Sequence, residues 1–199
     1  MSDTPLTTEQ VLAAAEEVLR RFGPAKATVV DVARALGVSH ASVYKHFPSK
    51  AALRDTVVQI WMDRVTDPLQ VIADEEGPAA PRLYRWLLAL INTKRRLASD
   101  DPEMFATYCG LASEAREVVG EHVKHLGGQI TQIIGAGVQR GEFHSHDPAA
   151  TGRAVLAATA RFHHPAHASE WSDPDTDASF EEVWTLVLCG IQSSLTPKQ

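Results

Sequence analysis

Apolar residues recur at intervals of three and four through almost the whole chain, the spacing of helices that each bury one face, and no stretch alternates as a strand would. Val11, Leu12, Ala15, Val18, Leu19 and Phe22 predict a first helix from about Thr8, capped by Thr7 or Thr8 and ended by Gly23-Pro24. Val29, Val32, Ala33 and Leu36 predict a short second helix, and Val43 and Phe47 a third. Pro48 breaks the chain, and Ser49 caps a fourth helix through Leu53, Val57, Ile60, Trp61 and Val65. The segment 74–81 (DEEGPAAP) reads as a loop, with the junction between head and body inside the helix before it. Further helices are expected over Leu83–Leu97, from Pro102 behind a Ser99-Asp100-Asp101 cap, over about Ser113–Arg140, from Pro148 to Phe162, and over Phe180–Leu195. Gly127-Gly128 predicts a kink or a close helix contact within the longest of these.

The stretch from Thr28 to Lys50 carries the most specific local pattern. Thr28 can cap the second helix with its hydroxyl, and Gly37 stops it, because glycine enters the left-handed conformation at low cost. Val38 is left as an apolar plug, and Ser39 caps the next helix. With Val43 and Phe47 buried, that helix turns His40, Ser42, Tyr44, Lys45 and His46 outward, a polar and cationic surface suited to the major groove of DNA. The pattern is a helix-turn-helix.

Charge modifies this picture. The chain of 199 residues has a formal net charge of −6, but residues 1–50 carry six Lys/Arg against five Asp/Glu, so a weakly basic head sits on an acidic remainder. An acidic body discourages indiscriminate attachment to nucleic acid and leaves binding to a local surface. Cys109 and Cys189 lie in apolar helical segments with no metal or redox spacing, and read as small core residues. No apolar run of membrane-spanning length occurs and the first ten residues lack a basic, apolar leader, so a soluble cytoplasmic protein with no membrane partner is expected. No nucleophile motif or phosphate-binding glycine loop is present, which argues against an enzyme; no catalytic residue and no cofactor are assigned.

Leu36-Gly37-Val38-Ser39, Val43-Tyr44-Lys45-His46-Phe47, Ser49-Lys50 and Leu53 together resemble the tetracycline-repressor (TetR) family of bacterial transcriptional regulators. The motif-level likeness spans about a quarter of the chain; the body resembles the family in architecture, including Gly141-Glu142-Phe143 followed by Asp147-Pro148. The resemblance implies an all-α protein with an N-terminal helix-turn-helix three-helix head, residues 1–50, and a larger C-terminal helical domain, residues 51–199, for ligand binding and dimerisation. It implies Tyr44, Lys50 and Thr28 as phosphate anchors, and His40, Ala41, Ser42 and Lys45 at bases or backbone, with His46 at the backbone and Ser39 at the start of the recognition helix. Ala41 departs from the family, which commonly has glycine there, and His40 leaves the preferred base open.

The same resemblance implies a repressor that binds double-stranded DNA at an inverted-repeat operator, is released by a small-molecule effector and works as a homodimer through its last two helices. Trp61, Trp86, Met104, Phe105, Tyr108, Phe162 and His163 are the effector-pocket candidates, and their apolar bulk suggests an uncharged or weakly polar ligand. The alternative keeps the DNA head and makes the body a protein-interaction module. Nine histidines invite a metal reading: His122 and His125 share a helix face that can meet His163, His164 and His167. The absence of a compact ligand spacing argues against it, and no metal ligands are assigned.

Overall fold

Capping and glycine geometry divide the chain into ten α-helices among the described residues, 6–192, of the computed structural model. They are α1 (Thr8–Lys26), α2 (Val29–Leu36), α3 (His40–His46), α4 (Lys50–Asp74), α5 (Ala79–Asp100), α6 (Pro102–Glu114), α7 (Arg116–Gln139), α8 (Pro148–Ala158), α9 (Ala160–His163) and α10 (Thr176–Ile191). A 3₁₀ helix covers Pro165–Glu170, and an isolated antiparallel bridge joins Phe143 to Gln192. The all-α reading is correct. The expected end of the last helix at residues 193–195 lies outside the described residues.

Two compact units form. Among the described residues the first comprises 6–63 and 100–121 and the second 64–99 and 122–192, so the divisions fall inside α4, before the last residue of α5 and inside α7. In the first unit, α1 packs on α2, α3 and α6. Its core holds Val11, Ala15, Val18, Val32, Ala33, Val43, Phe47 and Val57, all nearly inaccessible to solvent. Thr7 caps α1 in a reciprocal box with Gln10, and α1 runs on to Lys26 across a break at Gly23, whose φ of 71° is open to glycine but costly for other residues. Phe22, the last of the expected apolar face, is 41% exposed beneath the Arg21 guanidinium.

In the second unit, Leu83, Trp86, Leu87, Leu90 and Ile91 of α5 meet Ile130, Ile133 and Ile134 of α7, with Val155, Phe162, Phe180 and Trp184 completing the core. Trp86 and Gln129 are joined inside it: Trp86 Nε1 donates to Gln129 Oε1 at 2.9 Å, and Gln129 Nε2 donates to the Thr66 carbonyl at 3.1 Å. A core polar group held on both sides avoids the cost of an unmet hydrogen bond.

Several boundaries differ from the sequence reading. The helix begun at Lys50 continues through Pro68 to Asp74, and α5 starts within the expected loop, at Ala79. The boundary expected near Ser113 falls slightly later: α6 extends to Glu114, Ala115 leaves helical geometry with ψ of 52°, and α7 begins at Arg116. Gly127-Gly128 makes neither kink nor close contact, for α7 runs through both and a methyl group on either would meet no atom within 4 Å. The close approaches are at Gly137, against Phe143 and Ala79, and at Gly152 of α8, where a methyl would sit 3.1 Å from Thr131 Oγ1. The helix expected over Pro148–Phe162 breaks at Thr159, and α10 begins at Thr176, four residues before the expected Phe180. Asp101-Pro102 and Asp147-Pro148 do start helices as cap and first residue, with Asp147 Oδ1 accepting from the Ala150 amide at 2.9 Å.

Candidate nucleic-acid interface

The helix-turn-helix is built by local chemistry. Thr28 closes a capping box with Asp31: its hydroxyl accepts from the Asp31 amide at 3.2 Å and donates to Asp31 Oδ2 at 2.6 Å. The Thr28 hydroxyl, aided by Arg34, holds the Asp31 carboxyl below its ordinary range. Gly37 ends α2 at φ 65°, ψ 28°, its amide donating to Ala33 and Arg34 carbonyls. Ser39 starts α3 by accepting from the Ser42 amide at 3.2 Å.

Val43 is completely buried and Phe47 is 5% exposed, so α3 is held from one side only. Burying two such side chains contributes about 1.5–3 kcal/mol each, enough to fix a seven-residue helix that would not form alone. The opposite side consists of His40, Ala41, Tyr44 and Lys45, all exposed, with Tyr44 at 47%. Ser42 is half-buried, its hydroxyl 2.9 Å from that of Ser39. His46 is half-buried too, with Nδ1 3.2 Å from Thr8 Oγ1, which ties the end of α3 to the start of α1. Thr28 and Lys50 are exposed and line one groove together. Of the nine expected contact residues, five therefore present free surface on α3 or the start of α4, whereas Thr28, Ser39, Ser42 and His46 also serve the local framework.

The seven expected effector residues fall into two sets. Trp61, Met104, Phe105 and Tyr108 belong to the first unit, where Trp61 stacks on Tyr108 at 4.8 Å and meets Phe105 edge-on at 6.1 Å. The Tyr108 hydroxyl donates to Glu16 at 3.2 Å. Trp86, Phe162 and His163 belong to the second unit, with Phe162 edge-on to Phe180 at 5.4 Å. All seven are buried.

The second unit also holds buried polar groups that the apolar pattern concealed: Arg82, Lys94, His122, Gln129, Thr159 and His163. Their signal was a polar residue at a core position of a helical stripe, as Gln129 stands beside Ile130 and Ile133. Burial pushes the His122 imidazole down to about 3 and His163 down to about 4, and the Lys94 charge acts in the same direction on both. His163 Nε2 lies 3.3 Å from Thr159 Oγ1, while His122 Nδ1 is buried without a hydrogen-bond partner among the described residues. His122 and His163 are close enough for their charges to oppose one another, as the shared helix faces suggested. His167 pairs with Glu170 at 2.7 Å instead. Among the described residues no group of three or more His, Cys, Asp or Glu is arranged to hold a metal ion. No described helix is long and apolar enough to cross a membrane.

Residues 11–57 match the family model of bacterial regulatory proteins of the tetR family, and residues 79–184 match that of the tetracyclin repressor-like C-terminal domain. The nucleoid occlusion factor SlmA of Marinobacter nauticus is 26% identical over 92% of this chain and 94% of its own length. SmeT, the repressor of the Stenotrophomonas maltophilia multidrug efflux pump SmeDEF, shares the fold with a TM-score of 0.71 at 17% identity, covering 98% of this chain and 94% of SmeT. A complex of SmeT with triclosan superposes with a TM-score of 0.68 at 16% identity over 94% of this chain and 92% of SmeT.

Proposed function

The chain belongs to the tetR family of bacterial regulatory proteins and is a DNA-binding transcriptional regulator, and on that premise we propose that it is an operator-bound repressor released by a small molecule. The observation that carries the DNA-reading part is the one-sided anchoring of α3. Val43 and Phe47 hold it to the head, while His40, Ala41, Tyr44 and Lys45 stand clear. Tyr44, Lys50 and Thr28 hold phosphate oxygens. Ala41, Ser42, Lys45 and His40 reach base edges or backbone, and Ser39 and His46 contact the backbone nearby.

A homodimer places two such heads about 34 Å apart on one face of the duplex, which compensates for the weak charge of each head. The exposed side of α8 and α10 supports that arrangement. Ala154, Ala157 and Ala158 leave α8 flat, and Leu186 of α10 is 74% exposed, an apolar side chain in want of cover. Effector binding in the body then favours a second arrangement of the heads, with a leverage set by the difference in effector affinity between the two states. The SmeT complex with triclosan supports a small apolar effector.

Selection of bound DNA from a random pool tests this reading. An enriched inverted repeat is the expected result, and no enrichment at low salt refutes it. In the alternative reading the body answers to a protein partner, for which the exposed Leu186 offers an apolar contact. A partner captured by the full-length protein and by a head-disabled Tyr44→Ala variant alike, with no small molecule shifting operator affinity, would select it.

A further inference from the structure

The first unit contains a groove of about 560 Å³, within the size range of small-molecule sites. Its walls come from α1, α2, α4 and α6, and all of them belong to that one unit. The floor is apolar and buried: Val18, Val32, Leu53, Val57 and Leu111 all lie below 8% exposure. Three charged residues complete the lining: Lys50, Arg54 and Glu114. Arg54 is fully engaged, with Nη1 2.9 Å from Glu114 Oε2 and Nη2 2.8 Å from Asp55 Oδ1. Arg54 is therefore shared between two carboxylates and has no charge to spare. The Lys50 ammonium has no carboxylate partner among the described residues and is the one cation of the lining left unpaired.

We infer that this groove is a second effector site, taking an apolar molecule with a single negative charge whose anionic end meets Lys50. An apolar floor removes hydrocarbon from water, and one spare cation selects one anion. Neutral hydrocarbon lacks the charge contact, while a dianion leaves its second charge over an apolar floor without a counter-ion. Thr28 lines the same groove, its hydroxyl already committed to Asp31. Lys50 and Thr28 are two of the proposed phosphate anchors, so the bound anion and the DNA backbone compete for Lys50. The ligand lowers DNA affinity and DNA lowers ligand affinity by the same factor. This regulatory half rests on the proposed DNA contacts; the binding half does not.

The deciding experiment is calorimetric titration of the full-length, DNA-free protein with decanoate and with decan-1-ol, which differ at the charged end. Decanoate is expected to saturate and to bind about tenfold more tightly than the alcohol, a preference that Lys50→Gln abolishes. Ala51→Trp and Ala25→Trp each put an indole into the groove from an exposed lining position on a different wall, and either is expected to abolish saturation while the helical circular dichroism is retained. No saturation by wild type, equal affinity for acid and alcohol, or wild-type binding in both tryptophan variants overturns the site. Saturation in DNA-free protein combined with a selected operator whose affinity ignores decanoate upholds the site and overturns its competition with DNA.

Discussion

Acidification should weaken this protein through two imidazoles well above the range in which its carboxylates protonate. His122 and His163 are buried, and desolvation together with the Lys94 charge lowers them to about 3 and about 4. In the unfolded chain both return to about 6.5. The folded chain thus binds fewer protons than the unfolded chain below that value, and stability falls as pH falls. The loss begins near pH 6.5 and continues to about pH 4 for His163 and about pH 3 for His122, where the folded state takes up the proton itself. Integrating between about pH 7 and about pH 5 gives about 2 kcal/mol per histidine, or about 4 kcal/mol together. His164 is lowered by burial as well and acts in the same sense. Asp31, Asp74, Glu75, Asp101 and Glu170 are also lowered, chiefly by hydrogen bonds, but their losses fall mostly below the carboxylate range and outside this window. Urea unfolding followed by circular dichroism at the two pH values measures the effect in wild type and in a His122→Gln/His163→Asn variant. Wild type should lose about 4 kcal/mol and the double variant less than half of that. Equal losses in the two proteins, or a pH-independent wild type, would refute the reasoning. Should the double variant not fold, imidazole resonances of wild type supply the check: two should show no titration above about pH 5.

Three further outcomes follow from packing and geometry. Gln129→Leu strands the Trp86 indole N–H in the core and should cost about 1–3 kcal/mol in chemical denaturation, with Trp86→Phe recovering part of that loss in the double variant. Gly137→Ala drives a methyl group into the Phe143 ring and Ala79, and a drop in melting temperature of several degrees, corresponding to about 1–3 kcal/mol, is expected by calorimetry. Tyr44→Ala and Lys50→Ala should each weaken binding to all DNA sequences, and Lys50→Ala alone should flatten its salt dependence, whereas His40→Ala or Ser42→Ala should alter the selected sequence; unchanged affinity in both of the first two would remove the phosphate assignment.

The helix-turn-helix was legible because everything that makes it is near in sequence. Thr28 meets Asp31, Gly37 meets Ala33 and Arg34, Ser39 meets Ser42, and Val43 and Phe47 share a face four residues apart. The same locality made Asp101-Pro102 and Asp147-Pro148 readable as helix starts. Ala115 shows how precise this is: it has good helix propensity, yet the helix breaks there rather than at Ser113, where the sequence placed the next start. Gly127-Gly128 and Gly137 are equally poor helix formers, but only Gly137 has another segment pressed against it.

The sequence alone determined that the chain is helical, where most helices begin, and which side of the short third helix is left exposed, since caps, turns and amphipathic spacing act over three or four residues. Tertiary structure decided the partners. It put Trp61 with Phe105 and Tyr108 in one core and Trp86 with Gln129 in another, brought His122 near His163 and Lys94, and built the groove that joins Lys50 to α1 and α6. Each of those meetings depends on how helices pack across dozens of residues, and side-chain spacing along one helix cannot encode the identity of the face that covers it.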